Sequence, residues 1–594
     1  MTTIEICELF RFTTVRRPKR ASMNQLSGWK TAGAIFLLCA ATAIVARAQT
    51  FTTLVSFDTS YYGIPGGPAT PLIQGTDGNF YGTTMTGGAN NCEPGGGYIG
   101  CGTVFRVTPE GSLSTFYSFG PTETDGIYPE AGLVLATDGN FYGATRSTIY
   151  KLSPDATLTT LYTEGPDFVS TLGGLIQGTD GNFYGTTNLG SVFKITPAGK
   201  LTTLHTFEGS HGYLPIAGLV QATDGNIYGT TEYGGANHND AICFDDGYNP
   251  AGCGTVFKIA PGGKGTTFYS FCSQPNCADG AKPSSSLIQA ADGNLYGITA
   301  AGGANGYGTM FRIGLGGKLT TLYNFCSQPN CSDGYYPWFM YAPYFAPVVQ
   351  GTDGKFYGTT FNGGTSGLGE IFDIVPGARL RKLHDFCYPR LNCTDGNGPL
   401  AGMIQGTDGN FYGTTFQGGI NGDYSYGTVF RLSMGLRPFV SFIRNSGKVG
   451  QTVRILGQGF TGTTSVSFNG TPAKFTVKSD TYLTATVPAG ATTGTVTVAT
   501  SAGTLKSNVA FRVTPQILSF SPASGPAGTS VVITGKSLSQ ASVVTLACKW
   551  KMSFTVDSET QITAIVPQGA TSGRIAVSTP GGHVESTASF TVTP

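Results

Sequence analysis

The chain has 594 residues, 88 of them glycine, with only 12% charged residues and a formal net charge of +1. That length exceeds one domain, the prior being about three to five, and the composition describes a turn-rich β protein with a weakly charged surface. Nothing in it favours a nucleic-acid partner.

Residues 1–48 read as an export signal, already complete if translation starts at Met23. Lys30 precedes an apolar run over 32–45, and Ala46-Arg47-Ala48 offers a small-x-small cleavage site before Gln49. The run is too short and too isolated for a spanning helix. Cys39 follows Leu38 rather than a small residue, so lipoprotein processing is not expected. Cleavage removes seven basic residues (Arg11, Arg16, Arg17, Lys19, Arg20, Lys30, Arg47) and two acidic ones (Glu5, Glu8), taking the charge from +1 to −4.

A phrase built on DGNxYG then occurs seven times, at Asp77, Asp138, Asp180, Asp224, Asp292, Asp353 (as DGKFYG) and Asp408, each followed by a GTVF-like run. Self-similarity at a period of roughly 40–70 residues means a repeat architecture. In the third copy four strand-like runs are predicted, GGLIQG at 173–178, NFYGTT at 182–187, SVFKIT at 191–196 and LTTLHTF at 201–207. Asp-Gly turns the first run into the second, because glycine accepts the positive φ that such turns need. Four antiparallel strands repeated radially make a β-propeller blade.

Fourth strands are expected at 113–119, 158–162, 201–207, 265–271, 319–325 and 380–386, six for seven phrases. The seventh, FTTLVSF at 51–57, precedes the first repeat, and nothing equivalent follows Gly427-Thr428-Val429-Phe430. The N-terminal strand is therefore expected to complete the last blade and close a seven-bladed ring over 49–434, removing exposed edges.

Ten cysteines form five close pairs, Cys92/Cys101, Cys243/Cys253, Cys272/Cys277, Cys326/Cys331 and Cys387/Cys393. Disulfides are expected over zinc, since no CxxC or His-x3-His spacing is present. Each short loop so closed contributes roughly 2 kcal/mol on the chain-entropy model. Meander blades put the first–second and third–fourth turns on one face and the second–third loops and blade connections on the other. All five pairs fall on the latter, which is the expected business face. Cys548 is expected to be a buried small apolar residue.

From Arg437 the vocabulary changes. SFIRNSGKVGQTVRILGQGF at 441–460 recurs as SFSPASGPAGTSVVITGKSL at 519–538, and FRVTP at 511–515 recurs as FTVTP at 590–594, so the offset grows from 78 to 79. Short strands between glycine-rich turns over about 80 residues indicate small Ig-like sandwiches, over 437–515 and 516–594. Both copies resemble the IPT/TIG family through SPxSGPxGTxVxITGxxL and VPxGxxxGxxxV. That resemblance implies a spacer or adhesion role in an exported protein. The seven-copy region, 51–432, resembles the GloVer tandem repeat family, whose unit reads DGNxYGTTxxGGxxxxGTVFxxTPxGxxTTLYSF. That resemblance implies an exported bacterial protein with a C-terminal anchor and no fixed biochemical activity. The chain departs from the pattern in ending at Pro594, directly after a strand and without a hydrophobic tail or basic cluster.

The enzymatic alternative is a secreted propeller lyase or hydrolase acting on a polysaccharide or lactone. Such a site needs dissimilar polar groups converging at the ring centre, often around a metal. Here Gln74, Gln177, Gln221, Gln289, Gln350 and Gln405 recur at one position, with Leu135 the exception. His205, His211, His238, His384 and His583 fall in outer strands, loops or the last domain. The repeated Asp reads as a turn residue rather than a calcium ligand. The loop 237–251, with Asp240, Asp245 and Asp246, lacks a recognised ligand spacing. The connection after Cys331 is the most distinctive, adding Trp338, Phe339, Tyr341, Tyr344 and Phe345. Exposed aromatics suit stacking on sugar rings or a protein hot spot. The expectation is an all-β, monomeric, exported protein, extracellular, at the cell surface or periplasmic, with no catalytic residues, metal or cofactor. Its partner would be a glycan or cell-surface protein bound at Trp338, Phe339, Tyr341 and Tyr344.

Overall fold

A computed structural model describes residues 49–594 except 58–66, 69, 93–99, 121–124, 164–172, 188–189, 240–241, 244–250, 336–346, 376, 378, 390–391, 421 and 423–425. The proposed signal therefore lies outside the described residues, among which no helix is long and apolar enough to cross a membrane. The fold is all-β, the only helices among the described residues being three 3-10 turns.

Residues 50–433 form seven antiparallel sheets built on one plan. In the third sheet Ile176–Gln177, Phe183–Thr187, Ser191–Ile195 and Leu201–Thr206 pair in sequence order. The second strand, FYGTT, is buried along its whole length, and the third buries Val192, Phe193 and Ile195 while Ser191 and Lys194 are partly exposed. Glycine in FYG is a packing requirement. A Cβ on Gly82 would lie 2.5 Å from the ring of Phe105, and one on Gly185 would lie 2.6 Å from Phe193. The aromatic of GTVF closes over a strand that has no side chain at that point.

The first strands are shorter than the sequence predicts. Only Ile176–Gln177 of the run 173–178 pairs with Phe183-Tyr184, and the other sheets behave alike. The cause is crowding at the centre, where a Cβ on Gly173 would meet the Ala217 carbonyl oxygen at 2.4 Å. Segments leading into the first strands of all seven sheets line one cavity of about 230 Å³.

The last sheet is completed from the N-terminus. Thr50–Ser56 pairs antiparallel with Thr428–Ser433, from Thr50 opposite Ser433 to Ser56 opposite Thr428, with a bulge between Thr53 and Val55. Phe57 follows, fully buried, with its ring 5.2 Å from Phe105 of the first sheet. Neighbouring sheets are tied by the recurring glutamines. Gln177, Gln221, Gln289, Gln350, Gln405 and Gln74 each accept, through Oε1, a backbone N–H from the turn of the preceding sheet at 2.8–3.0 Å. The last of these joins Gln74 of the first sheet to Thr407 of the seventh.

Two Ig-like sandwiches follow, each with its own apolar core, one around Ile455, Phe468 and Phe511 and the other around Ile533, Leu546 and Phe590. Cys548 corrects the sequence expectation. It is exposed, and its Sγ–H donates to Glu585 Oε1 at 2.9 Å. It sits in the hairpin turn between Val543–Leu546 and Trp550–Lys551, with Ala547 and Cys548 both at positive φ. The matching turn of the first copy is the two-residue Asn469-Gly470. The residue that changes the offset from 78 to 79 was inserted at this tip, which points away from the core.

Candidate functional site

The repeated turns are self-contained. In the first, Asp77 Oδ1 accepts the Asn79 N–H, while Oδ2 accepts Asn79 Nδ2–H at 2.6 Å and the Tyr81 hydroxyl at 2.8 Å. The same Tyr-to-Asp bond recurs at 2.8 Å in all the other six copies, from Tyr142, Tyr184, Tyr228, Tyr296, Tyr357 and Tyr412. Burial, and then the Asp carboxylate, push the Tyr81 hydroxyl far above its ordinary range. These carboxylates hold hydrogen-bond donors from their own turns, so the geometry fixes the turn.

The first Ig-like domain covers this turn face. Arg454 Nη2–H donates to the Asp138 carbonyl at 3.0 Å, the Thr481 hydroxyl to the Thr76 carbonyl at 2.9 Å, and Gln458 Nε2–H to Thr407 Oγ1 at 3.0 Å. Leu135, where the glutamine series breaks, belongs to an apolar cluster against which Ile443 of that domain packs. A glutamine at 135 would present an amide to that apolar contact. The exception in the repeat marks where the next domain docks.

The opposite face carries all five disulfides, joining the pairs Cys92–Cys101, Cys243–Cys253, Cys272–Cys277, Cys326–Cys331 and Cys387–Cys393. The sulfurs of Cys243, Cys253 and Cys272 lie within 4.8 Å of one another, the one cluster of metal-ligand spacing among the described residues, and all three are engaged in disulfides. Bonds of this kind belong to an oxidising compartment.

A second device stiffens these connections. Asp279 Oδ2 accepts the Tyr269 hydroxyl at 2.8 Å, and Asp333 Oδ2 accepts that of Tyr323 at 2.6 Å. Burial first, with these carboxylates behind it, raises both phenols to about 12. Asp395 takes the Cys387 N–H at 3.0 Å and lies 2.9 Å from His384 Nε2, whose ring stacks on Phe51 at 3.7 Å. His384 is thereby occupied with packing. The sequence signal was legible: Asp-Gly recurs after the fourth strand at Asp125, Asp279, Asp333 and Asp395.

Two concavities open on the stapled side. The central cavity is lined by Thr70, Glu130 and Ser284 among glycine-rich backbone. Farther out, a groove of about 620 Å³ runs between Pro329, Asn330 and Ser332, the loop 364–367, and Tyr388-Pro389. Tyr388 is 61% exposed there, an aromatic that the sequence reading did not single out. Trp338, Phe339, Tyr341, Tyr344 and Phe345 lie outside the described residues, as do Asp240, Asp245 and Asp246. The described chain leaves for this insertion at Tyr335 and resumes at Pro347, which lines the central cavity.

The Gloeobacter/Verrucomicrobia repeat model matches residues 21–243 and 146–341. The chain belongs to the Gloeobacter/Verrucomicrobia repeat family. The IPT/TIG domain model matches 438–513 and 515–592, so this family member carries two such domains after its repeats. None of the curated proteins compared with it matches. Among solved structures it is similar to a streptogramin B lyase, at 16% identity over 65% of this chain and 97% of that one, with a TM-score of 0.42. It is similar to virginiamycin B lyase from Staphylococcus aureus at 14% identity, over 65% and 99% of the two chains, with a TM-score of 0.39. A surface glycan-binding protein from Prevotella bryantii is similar at 20% identity, over 25% of this chain and 38% of that one, with a TM-score of 0.20.

Proposed function

We propose that the mature chain is an exported, monomeric, non-catalytic binding or adhesion protein. It is a seven-bladed β-propeller over 49–434, closed by its own N-terminal strand, that presents its stapled face to an extracellular glycan or a cell-surface protein. Residues 1–48 are removed as a signal, and the Ig-like domains at 437–515 and 516–594 act as a spacer behind the ring.

The observation that carries this reading is the position of the first IPT/TIG domain. It occupies the uniform turn face through Arg454, Thr481 and Gln458. The face left for a partner is the one where the repeats differ, where the disulfides hold loop geometry, and where the central cavity and the Tyr388 groove open. Closure of the ring is supported by the Gln74–Thr407 bond and by the strand Thr50–Ser56 on the seventh sheet.

The ligand platform is assigned on sequence grounds to Trp338, Phe339, Tyr341 and Tyr344, in the insertion between Tyr335 and Pro347. Truncating an aromatic anchor that forms a hot spot costs at least about 2 kcal/mol in binding. A glycan array probed with the mature protein, run beside Trp338→Ala, tests the reading. Binding lost at unchanged melting temperature supports it. A large fall in melting temperature with binding retained below it would assign the cluster to packing alone.

A further inference from the structure

The two IPT/TIG copies differ in arginine at corresponding positions. Ser441-Phe442-Ile443-Arg444 stands against Ser519-Phe520-Ser521-Pro522, Val453-Arg454-Ile455 against Val531-Val532-Ile533, and Phe511-Arg512-Val513 against Phe590-Thr591-Val592. The first copy alone carries the three guanidinium groups, and among the described residues the hydrogen bonds to the repeat turns come from it. Arg454 is accounted for by docking, with Nη2–H on the Asp138 carbonyl and Nη1–H on the Tyr482 hydroxyl at 3.1 Å.

Arg444 and Arg512 are not accounted for in this way. They are brought together by the parallel pairing that sets Ser446 opposite Arg512 and by the Arg512 N–H donating to the Asn445 carbonyl at 2.8 Å. Both line a cavity of about 350 Å³ between 441–446 and the first strands of the second, third and fourth sheets. Arg444 Nη2–H donates to the Gly178 carbonyl at 2.6 Å, whereas Arg512 Nε is buried with no acceptor. Among the described residues neither guanidinium has a carboxylate within ion-pair distance. Burial holds the pKa of both below the ordinary arginine value, and Arg444 depresses Arg512 further.

Two like charges lining one partly open cavity, with a buried donor unused and only the more distant carboxylate of Asp180 acting on Arg444, cost free energy that a bound anion would relieve. The amides nearby do not fill this role: Gln177 and Gln221 accept from the neighbouring turn and donate to Gly181 and Gly225, and neither gives Arg512 Nε an acceptor. Guanidinium groups match the paired acceptor oxygens of carboxylates and phosphates.

We propose that the cavity between the first IPT/TIG domain and the repeat sheets is an oxyanion site, with Arg444 and Arg512 as its ligands for a carboxylate- or phosphate-bearing small molecule. The volume leaves room for an organic body beside the anionic group, since one water takes about 30 Å³. A bound anion would neutralise the pair and fasten the domain to the propeller.

The test uses the full mature chain and two probes, inorganic phosphate and succinate, each against sodium chloride at matched ionic strength. One probe should raise the melting temperature saturably by a few degrees over chloride and show a one-to-one calorimetric isotherm. The phosphate arm identifies a tetrahedral oxyanion, the succinate arm a carboxylate. Arg512→Leu should abolish the shift, while Arg574→Met, on the second domain, should keep it. The Arg512 Nε has no acceptor to lose, so this variant is expected to fold even where Arg444→Met is not. No shift beyond chloride with either probe on the unmodified protein overturns the proposal, as does a shift that persists in Arg512→Leu.

Discussion

Thr360 and Glu370 stand opposite each other at the top of the sixth sheet, and neither side chain reaches the other or any other partner. In the other six sheets the same two positions hold a hydroxyl pair, as in Thr84–Thr103 and Thr231–Thr255, bonded at 2.8 Å. Glu370 is fully buried with both oxygens unpaired, and burial, reinforced by the charge of Asp385, pushes its carboxyl up to about 9. Lys382 works in the opposite direction and Asp333 with the burial.

The folded protein thus keeps the Glu370 proton to about pH 9, whereas the unfolded chain releases it near 4.5. Between those values the folded state binds more protons, so stability falls as pH rises, by up to about 1.4 kcal/mol per pH unit. Glu370→Gln should flatten this slope between pH 5 and 9 in denaturant titrations. Glu370→Thr should also raise the melting temperature at pH 8 by restoring the hydroxyl pair. An unchanged slope in Glu370→Gln would show that another group governs the pH dependence.

Deleting 50–57 removes a seven-residue strand, six of whose residues pair with the seventh sheet, and leaves Thr428–Ser433 as an open edge. It also empties the site of Phe57 in the cluster with Phe80 and Phe105. Loss of that one buried phenylalanine alone costs about 3–5 kcal/mol. The truncated protein should melt many degrees lower and aggregate through the free edge. Melting within a degree or two of the parent would disprove the closure.

Ile443→Ala should loosen the first IPT/TIG domain from the repeat sheets by about 1–2 kcal/mol, because Ile443 packs on the cluster containing Leu135. Limited proteolysis over 433–440 should accelerate while the melting of the repeat sheets stays unchanged. Equal cleavage rates would assign the docking to the polar contacts alone.

Replacing Cys326 and Cys331 together by serine should destabilise the protein by about 2 kcal/mol, and peptide mapping of the parent should find five bridges between nearest cysteines. The paired Asp333 remains held by Tyr323 and Ser327 in that variant. The loop should therefore keep its shape at room temperature and lose it first on heating. Free thiols at Cys272 and Cys277 in protein exported to an oxidising compartment would overturn the pairing.

Periodicity determined the all-β repeats, because the DGNxYG turn, the FYG strand and the GTVF strand are local in sequence and recur as units. Cysteine pairing was equally legible, since each bridge spans ten residues or fewer. The sequence also flagged Leu135 as an exception without saying why. Only the tertiary structure could, because Ile443 is more than 300 residues away in the chain. Cys548 was misplaced for a related reason. A one-residue change of offset shows that an insertion exists, while its exposure depends on the hairpin turn that receives it. Glu370 and the Arg444–Arg512 pair likewise look ordinary as single letters. Their chemistry is set by burial and by which charges fold brings near or keeps away, and those are properties of the packed molecule.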